Sequence, residues 1–559
     1  MASTSLQIET AARLFANGNM KEADAICQQI LEQQANHTNA LHLRGVIAYQ
    51  MQNYKASTHF LNLANSLANN NPDIMFALAA SHENTGQYAA AIKLYNKICA
   101  LTPNNITAWQ QLAGVLEKNH QYTEAIAAYL NLNKLEKNNP NVLLALARLH
   151  IKLNAKDKAV IYLQSLKKNA DTVNDSGLWN NIGLIEKALN QPKDAIVSFE
   201  QALKIDDTDS SNHEKARLNL ASTLQDIGDF NSAKRYYLDV IRRGNSKSAE
   251  ISRAQYNLSL IYLGEGEFST AWKHLYKRPK IFSDTPKTTD LKNKTLLVHG
   301  EEGMGDELIF LRFIPLLVKQ GAQVEYIGNP KLVPILKQLT YINRVHTNRP
   351  ATTKFDYCIA AMDLPYILDI NDVSTVPPVK LLVDNSLSHE ILNRISRLAS
   401  QTKTIGITWR AGTSEELPSL TGKNAKYLRK EIPLSALCDA LAKFTGNLVV
   451  LQRNPREEEI DYLHKTCQAN IIDASSLNND LNLMLRLLSK INRYIGVSNT
   501  NMHLYGSLEK YGEVIVPFPG EWRWTRKKHN SPWYKGFTLH HQTSDNDWQH
   551  VIDQIKNTI

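Results

Sequence analysis

The stretch GQYAAAIKLYNKICALTPNN, residues 86–105, decides how the first half of the chain folds. Its apolar residues recur at helical spacing, and Ala91 puts a small side chain in the middle of that face. Small residues with matching surroundings stand at Ala23, Ser57, Ala125, Ala159, Ala195, Ala233 and Ala271. The intervals are 34 residues as far as Ala159 and then 36, 38 and 38. A second series, Ala12, Gly45, Ala79, Ala113, Ala147, Gly183, Ala221 and Ser259, runs one helix earlier. Two such series describe paired helices whose crossing points need small side chains for close approach. A period near 34 is the length of a helix–turn–helix unit that buries its apolar face only by stacking on copies of itself.

The pattern resembles the tetratricopeptide repeat, with Trp109 and Trp179 at the repeat's aromatic position. Eight units are expected over residues 4–280, the first and last imperfect. Such units wind into an all-α superhelix whose concave face is lined by the first helix of each pair. Asn181, Asn219 and Asn257 lie two residues before the small residues of the last three first helices, and Gln111 takes that place in the fourth unit. An amide donates and accepts at once, which suits an extended backbone whatever its side chains. The expected partner is a polypeptide acceptor in the repeat groove, contacted by these asparagines.

Length and composition narrow the classes. A chain of 559 residues exceeds what one core supports, so several domains are expected. The N-terminus has no basic segment followed by an apolar one, and no run approaches the roughly 18 apolar residues of a membrane span. The five cysteines are scattered and form no Cys-x-x-Cys pair, which argues for a reducing compartment and against a zinc site. A cytoplasmic location is expected, with no metal and no cofactor beyond a co-substrate. Net charge is +9, which suits an anionic ligand such as a nucleotide. The one dense basic cluster, Arg526-Lys-Lys-His529, is too short for a nucleic-acid arm, so no nucleic-acid partner is expected.

After Lys280 the character changes. Residues 281–293 read as a linker, and short apolar runs then alternate with amphipathic helices, the signature of parallel sheets. One block, 294–390, has expected strands at 295–298, 324–327 and 355–359. A second, 400–559, has them at 404–409, 448–452, 471–473, 494–497 and 513–516. Two such Rossmann-like halves hold a ligand in the cleft outside the carboxyl ends of their strands.

Candidate residues cluster at those ends. After the first strand comes HGEEGMGDE, residues 299–307, which lacks the Gly-Lys-Ser/Thr of a phosphate loop and carries four carboxylates. In the second block, Ser498, Asn499 and Thr500 read as a helix N-terminus whose free amides favour an anion, with His503 on its first turn. Arg410, Lys423, Lys426, Arg429 and Lys430 follow another strand, and Gln452 and Arg453 a third. Arginine can chelate two phosphate oxygens, so this set suits a diphosphate. The segment 516–536 carries three tryptophans and a tyrosine, readable as a base-stacking wall or as a clamp between the two α/β blocks. Asp545-Asn-Asp547 reads as a helix cap rather than a metal site.

Taken together, GEFSTAWKHLYKR (266–278), HGEEGMGDELIFLRFIPLL (299–317), SNTNMHLYGSL (498–508), PFPGEWRW (517–524) and SPWY (531–534) resemble bacterial tetratricopeptide-repeat glycosyltransferases of the GT-B type. These are similar to heptosyltransferases and, more distantly, to protein O-linked N-acetylglucosamine transferase. The resemblance implies inverting, metal-independent transfer of a sugar from a nucleotide-sugar, and flagellin-like protein as an acceptor. Asp306 matches the family's proposed general base, with Glu302 the alternative. Thr500 and His503 match the helix that holds donor phosphates, where Asn499 replaces the usual aspartate. Gly303, Gly305, Arg410, Lys423, Arg429 and Gln452 complete the implied donor site. Around Arg410 the family commonly has Ala-Gly-Asn-Pro, whereas this chain has Arg-Ala-Gly-Thr. A transferase acting on a lipid- or saccharide-linked glycan, and a catalytically inactive repeat scaffold, are the alternatives.

Overall fold

The computed structural model describes residues 4–68, 70–170, 174–205, 210–243, 248–280, 291–351, 354–411, 430–526 and 528–559. Among these, sixteen helices between Thr4–Ala16 and Phe268–Leu275 form eight antiparallel pairs. The small-residue positions lie at the pair crossings: Ala79, Ala91, Ala113, Ala125, Ala221 and Ala233 have no exposed surface. A Cβ added at Gly45 would lie 2.5 Å from Leu61 Cγ, so that crossing leaves no room for a methyl group. One position is corrected: in the first unit Ala11 is the buried residue, and Ala12 faces solvent. Ala11 is also the residue that keeps the 34-residue step to Gly45.

The turn inside each pair repeats a backbone signature. Gly18, Gln52, Gly86, His120, Asn154, Asn190, Gly228 and Gly266 all have φ between +57° and +85°. A left-handed residue stops each first helix and turns the chain into the second. Four of the eight are not glycine, so the turn geometry persists where the sequence does not announce it.

The chain packs as two compact units, Met1–Ile185 and Glu186–Ile559. This boundary lies far from the change of sequence character near residue 280. The second unit combines the last repeats with two parallel sheets. The first sheet contains β1 (Thr295–His299), β2 (Gln323–Ile327), β3 (Arg344–His346) and β4 (Tyr357–Ala360), in the order β3-β2-β1-β4. The second contains β5 (Thr404–Thr408), β6 (Asn447–Val450), β7 (Asn470–Asp473), β8 (Arg493–Val497), β9 (Gly512–Val516) and β10 (Phe537–His541). Its order is β10-β9-β8-β5-β6-β7, with every strand pair parallel. The short β3 and the late β10 have no counterpart in the expected strands. β3 has three residues, too few for a periodicity, and β10 follows a long irregular segment. Both sheets reverse strand order beside a central strand, at β1/β4 and at β5/β8, and such reversals open a crevice at the carboxyl ends.

Packing explains the unit boundary. Phe268, Trp272 and Leu275 of the last repeat share one buried core with Phe310, Phe313, Trp522, Trp524 and Trp533 of the α/β region. Phe268 meets Trp533 edge-on at 5.8 Å, and Trp272 meets Phe310 at 6.1 Å. The tryptophans of 516–536 are thus a clamp. Each buried ring of this size contributes on the order of 2 kcal/mol or more from apolar burial alone. Arg526 adds a polar join: its guanidinium lies 3.5 Å from the Phe230 ring centroid and donates to Ile261 O at 3.1 Å. A Cβ on Gly264 would lie 2.5 Å from its Cζ.

Arg278, the last residue of the 266–278 motif, is buried between Asp363 and Glu301 and ion-pairs with both, and Lys280 also reaches Asp363 at 2.9 Å. Removing one partner of a buried pair leaves an uncompensated charge, typically costing about 3–5 kcal/mol. Arg278→Ala is expected to destabilise the second unit by that order in urea unfolding. An unchanged midpoint would show that the pair contributes nothing.

Candidate functional site

The loop after β1 assigns its four carboxylates to four different tasks. Glu301 goes to Arg278. Glu302, held at φ 61°, accepts a hydrogen bond from Tyr256 at 3.2 Å, from the first helix of the last repeat. Glu307 turns into the first half, accepting from Asn329 N and Tyr326 Oη at 3.1 Å each, and burial pushes its pKa up to about 7. Asp306 faces the second half. The helix begins at Met304, so Asp306 sits in its first turn, where Oδ2 accepts from Gly303 N at 3.3 Å.

Asp306 is gripped by Arg523: Nη2 lies 2.5 Å from Oδ1 and 2.6 Å from Oδ2, and Nε lies 2.9 Å from Oδ1. The remaining nitrogen, Nη1, donates to Glu521 at 2.7 Å, and Lys430 pairs with Glu521 at 2.7 Å. Burial opposes ionisation of Glu521, yet Lys430 and Arg523 overcome it and hold its pKa at about 2. Burial lowers the Lys430 pKa. The result is a chain of alternating charge, Asp306–Arg523–Glu521–Lys430.

Above this chain is a cavity of about 320 Å³. It is walled by Gly303, Gly305 and Asp306 from the first half, and by residues that follow β5, β6 and β8 in the second. Eight residues of the implied base and donor set meet here, Gly303, Gly305, Asp306, Arg410, Gln452, Asn499, Thr500 and His503, together with Lys430, Arg453 and Ser498 of the wider candidates. Glu302 is not among the lining residues. Lys423 and Arg429, with Lys426, lie outside the described residues.

Several lining residues are also structural. Arg410 is buried and paired with Glu459, and donates to Asn454 O at 2.9 Å. The Gln452 side chain accepts from Trp409 N and Arg410 N at 3.1 and 3.0 Å, fixing the turn after β5. Asn499 caps the helix Thr500–Gly506 by accepting from Met502 N at 3.0 Å. Its amide nitrogen donates to Thr408 Oγ1 at 2.9 Å and its oxygen accepts from Tyr494 at 3.1 Å, so here asparagine closes a neutral hydrogen-bond ring.

His503 is buried, stacked on Trp524 at 5.5 Å, and its Nδ1 is 3.2 Å from Tyr534 Oη. Burial, reinforced by Arg523, pushes its pKa down to about 3. It enters the cavity as a neutral imidazole. Gly305 is required beside it, because an added Cβ would lie 2.7 Å from His503 Cδ2.

Arg523 and Asn478 line the cavity without having been singled out from sequence. The signal for Arg523 was its place between Trp522 and Trp524, both core residues, in a segment conspicuous only for its aromatics. Asn181, Asn219 and Asn257 are half-buried on first helices. Asn257 donates to Tyr237 Oη at 3.1 Å, an intramolecular use of its amide that the ladder expectation did not include. Asp547 accepts from Gln549 N at 3.2 Å at the start of the last helix, Gln549–Lys556.

Comparison with known proteins bears on the repeats. A family model described as anaphase-promoting complex, cyclosome, subunit 3 matches residues 84–166, and tetratricopeptide-repeat models match 176–209, 61–106 and 218–278. No glycosyltransferase family model supports the α/β region. Protein FlbA of Caulobacter vibrioides is 23% identical over 558 residues, covering 93% of this chain and 90% of FlbA. A crystal structure of MamA is 15% identical with a TM-score of 0.29, covering 30% of this chain and 92% of MamA. YrrB, described as a TPR protein with an unusual peptide-binding site, is 17% identical with a TM-score of 0.27, covering 28% and 82%. The chain contains tetratricopeptide repeats followed by a parallel α/β region, and it is distantly similar to FlbA. No helix among the described residues is long and apolar enough to cross a membrane.

The His503 shift carries a sign. Its folded pKa of about 3 lies below the ordinary 6.5, so the unfolded chain binds the proton more readily. Its contribution is present above pH 6.5 and is lost as pH falls toward 3. Lowering the pH from 7 to 5 is expected to cost about 2 kcal/mol through this residue. Urea unfolding at both pH values checks it: His503→Phe should lose that much of the wild-type difference, and an equal difference would contradict a buried neutral imidazole.

Proposed function

We propose that the protein is a metal-independent, inverting glycosyltransferase of GT-B type. It would move a sugar from a nucleotide-sugar to a serine or threonine hydroxyl of a polypeptide held by the repeats. The observation that carries this reading is the convergence of eight residues, chosen for that chemistry, on one cavity between two parallel α/β sheets. Its volume of about 320 Å³ falls at the lower end of small-molecule sites. Lys430 and Arg523 supply cations where a diphosphate leaving group needs neutralising, in the role a metal takes elsewhere. Asp306 supplies the carboxylate that removes the acceptor proton. The bond from Tyr256 to Glu302 joins the first helix of the last repeat, the helix that also carries Asn257, to the same loop, which supports a polypeptide acceptor over a lipid-linked one. The acceptor is a flagellin-like protein, and a CMP-activated donor would need fewer cations.

A thermal-shift panel against UDP-, GDP-, ADP- and CMP-linked sugars tests the donor. A native-state ligand at 100 times its dissociation constant adds about 2.7 kcal/mol, so one nucleotide class should raise Tm clearly. Asp306→Asn should then lower transfer, followed by mass spectrometry of the acceptor, by about 10²–10⁴-fold. No shift with any donor would favour the scaffold reading.

The acceptor side has its own test. Replacing Asn219 and Asn257 together by alanine should raise the acceptor KM and leave donor affinity alone. Unaltered acceptor kinetics would remove the ladder.

A further inference from the structure

Three of the four cations lining the cavity are already engaged by carboxylates. Arg410 belongs to Glu459, Lys430 to Glu521, and Arg523 to Asp306 and Glu521, while Arg453 is exposed at the rim. A polyanion entering the cavity must therefore compete with a carboxylate for its strongest partner. The two carboxylates on Arg523 differ in what they keep when it leaves. Glu521 retains Lys430 at 2.7 Å. Asp306 retains only the hydrogen bond from Gly303 N among its described partners.

We propose that Arg523 is a latch shared between Asp306 and the diphosphate of the donor, so that donor binding itself exposes the base. Its guanidinium is planar and bidentate, and phosphate oxygens match that fork as well as a carboxylate does. When the diphosphate takes Arg523, the Asp306 oxygens are freed of the three guanidinium contacts that occupy them and can accept a proton from the acceptor. The acceptor hydroxyl then gives its proton to an Asp306 oxygen while its own oxygen bonds to the anomeric carbon. The bond from that carbon to the phosphate oxygen breaks, and its electron pair leaves with the nucleotide, held by Arg523 and Lys430. Activation of the base is thereby tied to the presence of the donor. This rests on reading the cavity as a nucleotide-sugar site.

The test uses the full chain, inorganic pyrophosphate as the probe, and titration calorimetry. Asp306→Asn is expected to bind pyrophosphate about tenfold more tightly than wild type, the equivalent of removing about 1.4 kcal/mol of competition. Arg523→Gln should bind at least tenfold more weakly. In the Arg523→Gln background the Asp306→Asn gain should vanish, which separates a latch from the general loss of a negative charge. Should Asp306→Asn fail to fold, Asp306→Ser carries the same expectation. Wild type offers an independent readout, because Arg523 Cζ lies 4.5 Å from the Trp522 ring centroid. Pyrophosphate should change tryptophan fluorescence in wild type and not in Trp522→Phe. A gain that survives in the Arg523→Gln background, or no gain at all, overturns the latch. Nucleotide-sugars that bind without this coupling would overturn the latch and leave the donor reading standing. Pyrophosphate coupling without any nucleotide-sugar binding would overturn the donor reading, and with it the donor's role in the latch, leaving only an exchange of Arg523 between Asp306 and an anion.

Discussion

The packing of the last repeat against the α/β region is the constraint on which the second unit depends. Phe268 and Trp272 face inward from a helix of only eight residues, and they find their partners in Phe310 and Trp533, far away in sequence. A short helix has little stability of its own, so tertiary burial is what holds it. Arg278 then closes the edge of this contact with two carboxylates, the buried Asp363 and the half-buried Glu301 of the glycine loop itself. The loop is thus positioned from both sides. Its strand comes from the first sheet, and its anchors come from the repeat.

That positioning makes sense of four carboxylates in nine residues. One ties the loop to Arg278, one meets Tyr256, one is buried in the first half, and one looks across to the second. Backbone geometry separates them: Glu302 occupies a left-handed conformation that turns its neighbours apart, and Asp306 and Glu307 lie on successive positions of a helix. The two buried ones are each accommodated, Asp306 by its ion pair with Arg523 and Glu307 by hydrogen bonds from Asn329 N and Tyr326. The chain from Asp306 to Lys430 carries two negative and two positive groups and is neutral as a whole. In such a setting a new anion acts less by adding charge than by re-partnering what is there.

Much of the architecture was legible. The small-residue series marked the repeat crossings because a crossing tolerates only small side chains, and that demand recurs every unit. Ala11 rather than Ala12 shows the limit, since two adjacent alanines look alike until one of them is buried. Strands β1, β2, β4 and the core of the second sheet stood out as apolar runs with polar ends. β3 and β10 did not, being short or isolated, with their pairing supplied by neighbours distant in sequence. Eight site residues were recognisable because strand ends and helix starts are local features. Arg523 was hidden in an aromatic segment whose role depends on what it packs against.

By itself, then, the sequence determined the period of the repeats, the alternation that makes parallel sheets, and the strand ends at which chemistry gathers. These follow from local spacing, which a single chain displays openly. Only the tertiary structure decided that the last repeats pack as one unit with the sheets, that the tryptophans clamp rather than line the cavity, and that Asp306 is held by Arg523. Each of those joins residues whose separation in sequence is long, 217 positions for Asp306 and Arg523. Their meeting is set by burial and charge pairing, and no periodicity records it.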